Sequence, residues 1–143
     1  MDFLQTLAIS AAGVNAEKAR MEAAAANIAN MNSSSPPGAP GYRPLTAVIH
    51  AVPAPFAALA GGASPPVMMA RADIVPQAGA GVRTTYEPGH PYADAQGMVA
   101  HPAIDHTQEM MTVVTAVRAY EANLAVIQVT KTLAAKALDI GGR

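Results

Sequence analysis

The residues best suited to chemistry are four histidines, His50, His90, His101 and His106, and the carboxylates near them. The densest group is His101, Asp105, His106 and Glu109. On a helix, Asp105 and Glu109 lie four apart and His106 and Glu109 three apart, so their side chains share a face. Such a set offers nitrogen and oxygen donors to a divalent cation. It matches none of the usual ligand spacings, however, and a helix start with acidic first-turn residues and surface histidines accounts for the same letters. Ser33-Ser34-Ser35 has hydroxyls but no neighbouring base to activate them. There is no phosphate-binding glycine loop, no nucleophile elbow and no zincin helix. With no cysteine, disulfides, thiolate metal sites and cysteine nucleophiles are excluded. The residues therefore specify no catalytic, cofactor or metal site, and a non-enzymatic role is expected.

The elements that would position these groups are marked by proline. All twelve prolines fall between Pro36 and Pro102. Glycine is concentrated there too, apart from Gly13 and the Gly141-Gly142 pair that ends the chain's last helical stretch. The two ends read differently. In the last forty or so residues Met110, Val113, Val117, Tyr120, Leu124, Ile127, Lys131, Ala134 and Leu138 alternate by three and four. In the first thirty, Leu4, Leu7, Ala11, Val14, Lys18, Met21, Ala25 and Ile28 do the same. This is the seam of a helix that meets another helix. At about 1.5 Å per residue the two helices would be roughly 40 and 50 Å long. Gly13 within the first marks a bend or a close neighbour. Lys18 and Lys131 interrupt the seams, and a polar seam residue can fix register and partner choice. Glu17 with Arg20, and Arg118 with Glu121, are spaced for ion pairs. The alanine-rich faces, Ala23–Ala26 and Ala134, Ala135 and Ala137, permit close helix approach.

Between the helices, three or four short strands are expected, at Leu45–Val52, Val67–Val75 and Val82–Tyr86, with Met98–Ala100 as the candidate fourth. Turns fall at Glu87–Pro91 and Asp94–Gly97, and Pro53–Pro66 is expected to be irregular. Asp105 or Thr107 is placed to cap the second helix. The expected fold is α+β, mainly α. Two long terminal helices form an antiparallel coiled coil, with a small irregular β module between them. The expected division is 1–32, 33–103 and 104–143. Large core-forming side chains are scarce, with two Phe, four Tyr and no Trp, so a lone copy would be weakly stabilised. The net charge of −1 and the lack of a basic run argue against nucleic acid. The first residues, Met1-Asp2-Phe3-Leu4, lack the basic start of a secretory signal. No run of about 18 apolar residues is present to span a membrane.

Two stretches carry a family resemblance. One is Ala23–Asn30, containing Asn27-Ile28-Ala29-Asn30, followed by Gly41-Tyr42-Arg43; here Ala39-Pro40-Gly41-Tyr42 stands where the common form is Thr-Pro-Gly-Tyr. The other starts Tyr86-Glu87-Pro88-Gly89, runs to Val99, and continues into Glu109-Met110 and Arg118–Asn123. The chain resembles the bacterial flagellar axial proteins, and more narrowly the family of basal-body rod protein C, the proximal rod subunits. The resemblance implies a structural subunit whose terminal helices stack with other copies and other rod proteins, transmitting torque from the ring to the distal rod and hook. It implies contact with a rod–ring junction protein and the membrane ring. It also implies export by the flagellar type III apparatus without a cleaved signal, and residence in the periplasmic part of the basal body. The interface residues expected from the seams are Leu4, Leu7, Ala11, Val14, Met21, Ile28, Met110, Val113, Val117, Tyr120, Leu124, Ile127 and Leu138. A helical adaptor or secreted protein that binds a heterologous partner helix is the alternative.

Overall fold

A computed structural model describes residues 3–54 and 67–141. Its elements are α1 (Phe3–Asn30), β1 (Leu45–Pro53), β2 (Met68–Pro76), β3 (Val82–Tyr86), β4 (Met98–Pro102) and α2 (His106–Gly141). The architecture is the expected one, mainly helical with a small β portion between the two helices. The expected irregular stretch Pro53–Pro66 lies largely outside the described residues.

The ends of the helices follow from local chemistry. Asn30 turns its amide back onto the Ala26 carbonyl at 2.9 Å, and the following turn closes with Ser33 N donating to Asn30 O at 3.0 Å. Asp105 caps α2: its Oδ1 accepts from the backbone N–H of Thr107 at 2.8 Å and of Gln108 at 3.3 Å.

The helices are antiparallel. Gly13 lies against Asn123, and Asn27 hydrogen-bonds Glu109. Fourteen residues forward in α1 is thus fourteen residues back in α2. By the same count Asn30 is level with His106 and Phe3 with Leu133. Residues 134–141 therefore run past the start of α1 by roughly 12 Å.

The β portion is two separate antiparallel hairpins rather than one sheet. In the first, Leu45 pairs with Pro76 and Pro53 with Met68, and the hairpin lies along α1. In the second, Val82 pairs with Pro102 and Tyr86 with Met98. Ser35 adds a bridge to the other edge of β4, exchanging both backbone hydrogen bonds with Ala100 at 2.9 and 3.0 Å. The loop after α1 is thereby fixed to the second hairpin.

The interior holds little bulk. The buried apolar residues are Ala16, Ala23, Ala24, Val99, Ala100 and Ala116, and the two largest fully buried side chains are Val99 and Asn27. At roughly 25 cal/mol per Å² of apolar surface, so small a set supplies a modest driving force for one copy alone.

Candidate assembly interface

The apolar stripes expected to form the seam between α1 and α2 lie only half against it. Leu7, Val14, Met21 and Ile28 are half-buried, as are Val113, Tyr120 and Ile127. Leu4, Ala11, Met110, Val117, Leu124 and Leu138 are exposed. At these alternate positions the inward residue is often one earlier in the chain. Ser10, Ala24, Ala116 and Thr130 are buried, and Glu109 and Asn123 are half-buried. The contact inside the chain is made of small and polar side chains. Of the larger apolar side chains in these stripes, Leu4, Met110, Val117, Leu124 and Leu138 are turned outward and the others are half-covered.

The outward set is extensive on α2. Met110, Met111, Val114, Val117, Leu124, Val126, Val129, Leu133, Leu138 and Ile140 all stand in solvent, with Leu138 and Ile140 at 77% and 80% exposure. Phe3, Leu4 and Ile9 do so on α1. An exposed apolar surface of this length is unusual for a protein that works alone. Among the described residues α2 is also the one helix long and apolar enough to cross a membrane by length and composition, although polar residues interrupt it throughout and it holds no run of about 18 apolar residues. Its inward side is already taken by α1 through Glu109, Asn123 and Thr130, a set ill-suited to lipid.

The lysines expected in the seam are outside it. Lys18 is exposed and pairs with Glu22 at 3.5 Å, and Lys131 is exposed. Within the chain, the polar seam positions are Ser10, Asn27, Asn123 and Thr130 instead. Of the two expected ion pairs, Glu17–Arg20 forms at 2.8 Å. Arg118 and Glu121 form none among the described residues.

The motif residues meet at one end of the helix pair. Asn27, 1% exposed, uses its whole amide. Its Oδ1 accepts from Leu45 N at 2.7 Å and from the Tyr42 hydroxyl at 3.0 Å. Its Nδ2 donates to Leu45 O at 2.8 Å and to Glu109 Oε1 at 3.1 Å. One side chain thus joins α1, the loop carrying Tyr42, the first residue of β1, and α2. Burial, with the Glu109 carboxylate behind it, pushes the Tyr42 phenol above its ordinary value.

The second motif shapes the β3–β4 turn. Asp94 Oδ1 accepts from Gln96 N and Met98 N at 2.8 and 2.9 Å, and Glu87 N donates to Gly97 O at 2.7 Å. Gly97 has φ +75°, and a Cβ there would sit 2.8 Å from Tyr86 Cε2 and 3.3 Å from the Pro88 backbone. Only glycine fits. Tyr86 itself is 68% exposed, and nothing lies within 4 Å of a Cβ built on Gly89.

The histidine and carboxylate group is dispersed. His101 Nδ1 faces Ser33 O at 3.1 Å and its Nε2 faces Glu87 at 3.4 Å, while Asp105 caps α2 and Glu109 holds Asn27. No three such side chains converge on one point among the described residues.

Residues 95–140 match the family model described as "Flagellar basal body rod FlgEFG protein C-terminal". That match covers the end of the β portion and nearly all of α2, and is a likeness to flagellar basal-body rod proteins. The chain is 33% identical over 141 residues to the flagellar basal-body rod protein FlgC of Escherichia coli O6:H1, covering 99% of both chains. It is 32% identical to FlgC of Salmonella typhimurium over 141 residues and 99% of each. It is 37% identical to FlgC of Aquifex aeolicus over 133 residues, 93% of this chain and 92% of the relative. The chain belongs to the flagellar basal-body rod protein FlgC family. As a member it is a structural subunit of the basal-body rod, set among other rod and basal-body proteins, and the family is not an enzyme class.

Proposed function

We propose that the subunit is built into the rod through the incompletely buried apolar stripes of its two helices and there transmits torque from the ring toward the distal rod and hook. The interface residues are Leu4, Leu7, Ala11, Val14, Met21 and Ile28 on α1, with Met110, Val113, Val117, Tyr120, Leu124, Ile127 and Leu138 on α2. The carrying observation is that the fully buried helix residues are alanine, serine, asparagine and threonine, while many Met, Val, Leu and Ile side chains stand in solvent and the others are only half-buried. Burying each of those larger side chains against a neighbour contributes on the order of 1.5–3 kcal/mol. The subunit works without catalysis, as three functional parts: 1–32 and 104–143 assemble, and 33–103 shapes the surface between them. Other copies, other rod proteins, a rod–ring junction protein and the membrane ring are its neighbours. It reaches the periplasmic space through the flagellar type III export apparatus without a cleaved signal.

Hydrogen exchange on dilute and assembled protein tests this reading. In dilute protein the amides of the last turns of α2 exchange fast, and they become protected on assembly. Strong protection along both whole helices in dilute protein would overturn it. Electron microscopy of concentrated protein, alone and with other rod proteins, separates assembly from the binding of a single foreign helix.

A further inference from the structure

The inner contact between α1 and α2 raises a problem of alignment. Ser10, Ala16, Ala23, Ala24, Ala116 and Thr130 are small, and holes lined by such residues accept a shifted partner at little cost. Two features, two heptads apart, distinguish one alignment from the rest. At the first, the Asn123 side chain fills the notch left by Gly13: a Cβ on Gly13 would lie 2.8–3.0 Å from the Asn123 amide atoms. At the second, Asn27 donates to Glu109. A one-heptad slip would put Thr6 or Arg20 opposite Asn123, where a side chain now occupies the space, and would leave Glu109 without the Asn27 amide.

We propose that Asn27 is the positioning residue that sets the axial register of α1 on α2 and ties that register to the first hairpin. Its other three hydrogen bonds, two to Leu45 and one from Tyr42, hold the start of β1 to the same level of α1. The offset between the apolar stripes and the position of the hairpin relative to them are then linked through one amide. Buried polar groups that fix alignment at some cost in stability are a known device in helix pairs. The Gly13–Asn123 notch supplies the second point of alignment.

The inference rests on the rod-subunit reading, and the test separates the two. The chain has no cysteine, so engineered pairs report alignment cleanly. Ala16→Cys with Tyr120→Cys reads the native level; Ala16→Cys with Val113→Cys or Ile127→Cys reads a one-heptad slip either way. Full-length chains are expressed in cells lacking their own copy, basal bodies are isolated, and disulfides are driven with a soluble oxidant. In the parent chain the native pair should exceed the slipped pairs by about tenfold or more, and Asn27→Leu should bring them near parity. Asn27→Asp sets a carboxylate against both Glu109 and the Leu45 carbonyl and should abolish swimming; adding Glu109→Gln supplies a donor on the α2 side alone and should restore it in part. Native-only disulfides in Asn27→Leu would overturn the inference. Where Asn27→Leu fails to accumulate in basal bodies, the swap decides: no recovery with Glu109→Gln overturns the inference and recovery upholds it. Failure of the parent chain itself to restore swimming would instead count against the rod reading.

Discussion

The two ends of the helix pair are built on opposite terms. At one end, Asn27, Tyr42, Leu45 and Glu109 share a fully used buried amide, Asp105 caps α2, and Ser35 bridges the loop to β4. At the other, α2 continues about two turns beyond α1 with Leu138 and Ile140 in solvent. The first end satisfies most of its polar groups from within the chain, the buried Ser33 Oγ being the exception among the described residues. The second leaves its large apolar side chains mostly in solvent. A part that must be both specific in shape and ready to join others can divide the tasks this way: hydrogen bonds, which are directional, fix the internal geometry, while apolar area drives association.

The sharpest way to break this comparison is to charge the free end. Leu138→Asp with Ile140→Asp should leave unfolding of the isolated chain within about 0.5 kcal/mol of the parent, since both side chains are already exposed. The same change should abolish incorporation into basal bodies and swimming. Urea unfolding followed by helix content, with a motility assay, checks both halves. Swimming cells carrying the double variant would show that the overhang joins nothing.

How far the sequence discloses all this differs between the same two regions. The proline boundaries place both helices, the strands lie within two residues of expectation, and Asp105 caps α2 as its position predicts. The relative rotation of the helices is less legible. Three-four spacing marks the most apolar side of a helix, and in an assembling subunit that side is free to face neighbours. The internal contact is written in Ser10, Gly13, Ala16, Ala23 and Ala24, which carry little hydropathy signal. A stripe of small residues beside a glycine was the available clue. Asn27 stood out as a motif letter, but its role depends on Tyr42, Leu45 and Glu109, which no local pattern joins to it. The separation into two hairpins was equally hidden, because strand order is a property of long-range pairing.

Two changes near the ordered end sharpen the comparison with smaller effects. Gly97→Ala forces a Cβ onto a residue with φ +75° and against Tyr86 and Pro88. The expected loss is about 1–3 kcal/mol, confined to the β3–β4 hairpin. Amide exchange should show Met98–Pro102 loosened and α2 unchanged; an unperturbed hairpin would mean the turn tolerates a side chain. Tyr42→Phe removes one of the four Asn27 bonds and should cost about 1 kcal/mol. It also has a pH signature. The phenol is raised in the folded chain, so its contribution is complete below its ordinary value of 10.0 and is lost as pH rises through the higher folded value. Tyr42→Phe should therefore flatten the alkaline fall in stability above pH about 10 and leave the neutral range parallel to the parent. An identical alkaline slope in the two proteins would remove Tyr42 from the buried cluster.

The smallest expected effect lies on the outer surface. Lys18 occupies the same heptad position as Leu4, Ala11 and Ala25, all exposed, and its pair with Glu22 spans 3.5 Å with both side chains more than half in solvent. Such a pair contributes about 0.3–0.5 kcal/mol at most and is screened by salt. Lys18→Ala should therefore change unfolding by no more than that, and the difference should vanish in high salt. If the outward stripe is where neighbours sit, the same substitution has a second effect, because a charge in an apolar stripe restricts which partner can lie on it. Incorporation in competition with the parent chain then shifts while unfolding does not. Equal incorporation would mark Lys18 as a solvated residue at the rim and confine the assembling surface to the flanking apolar positions.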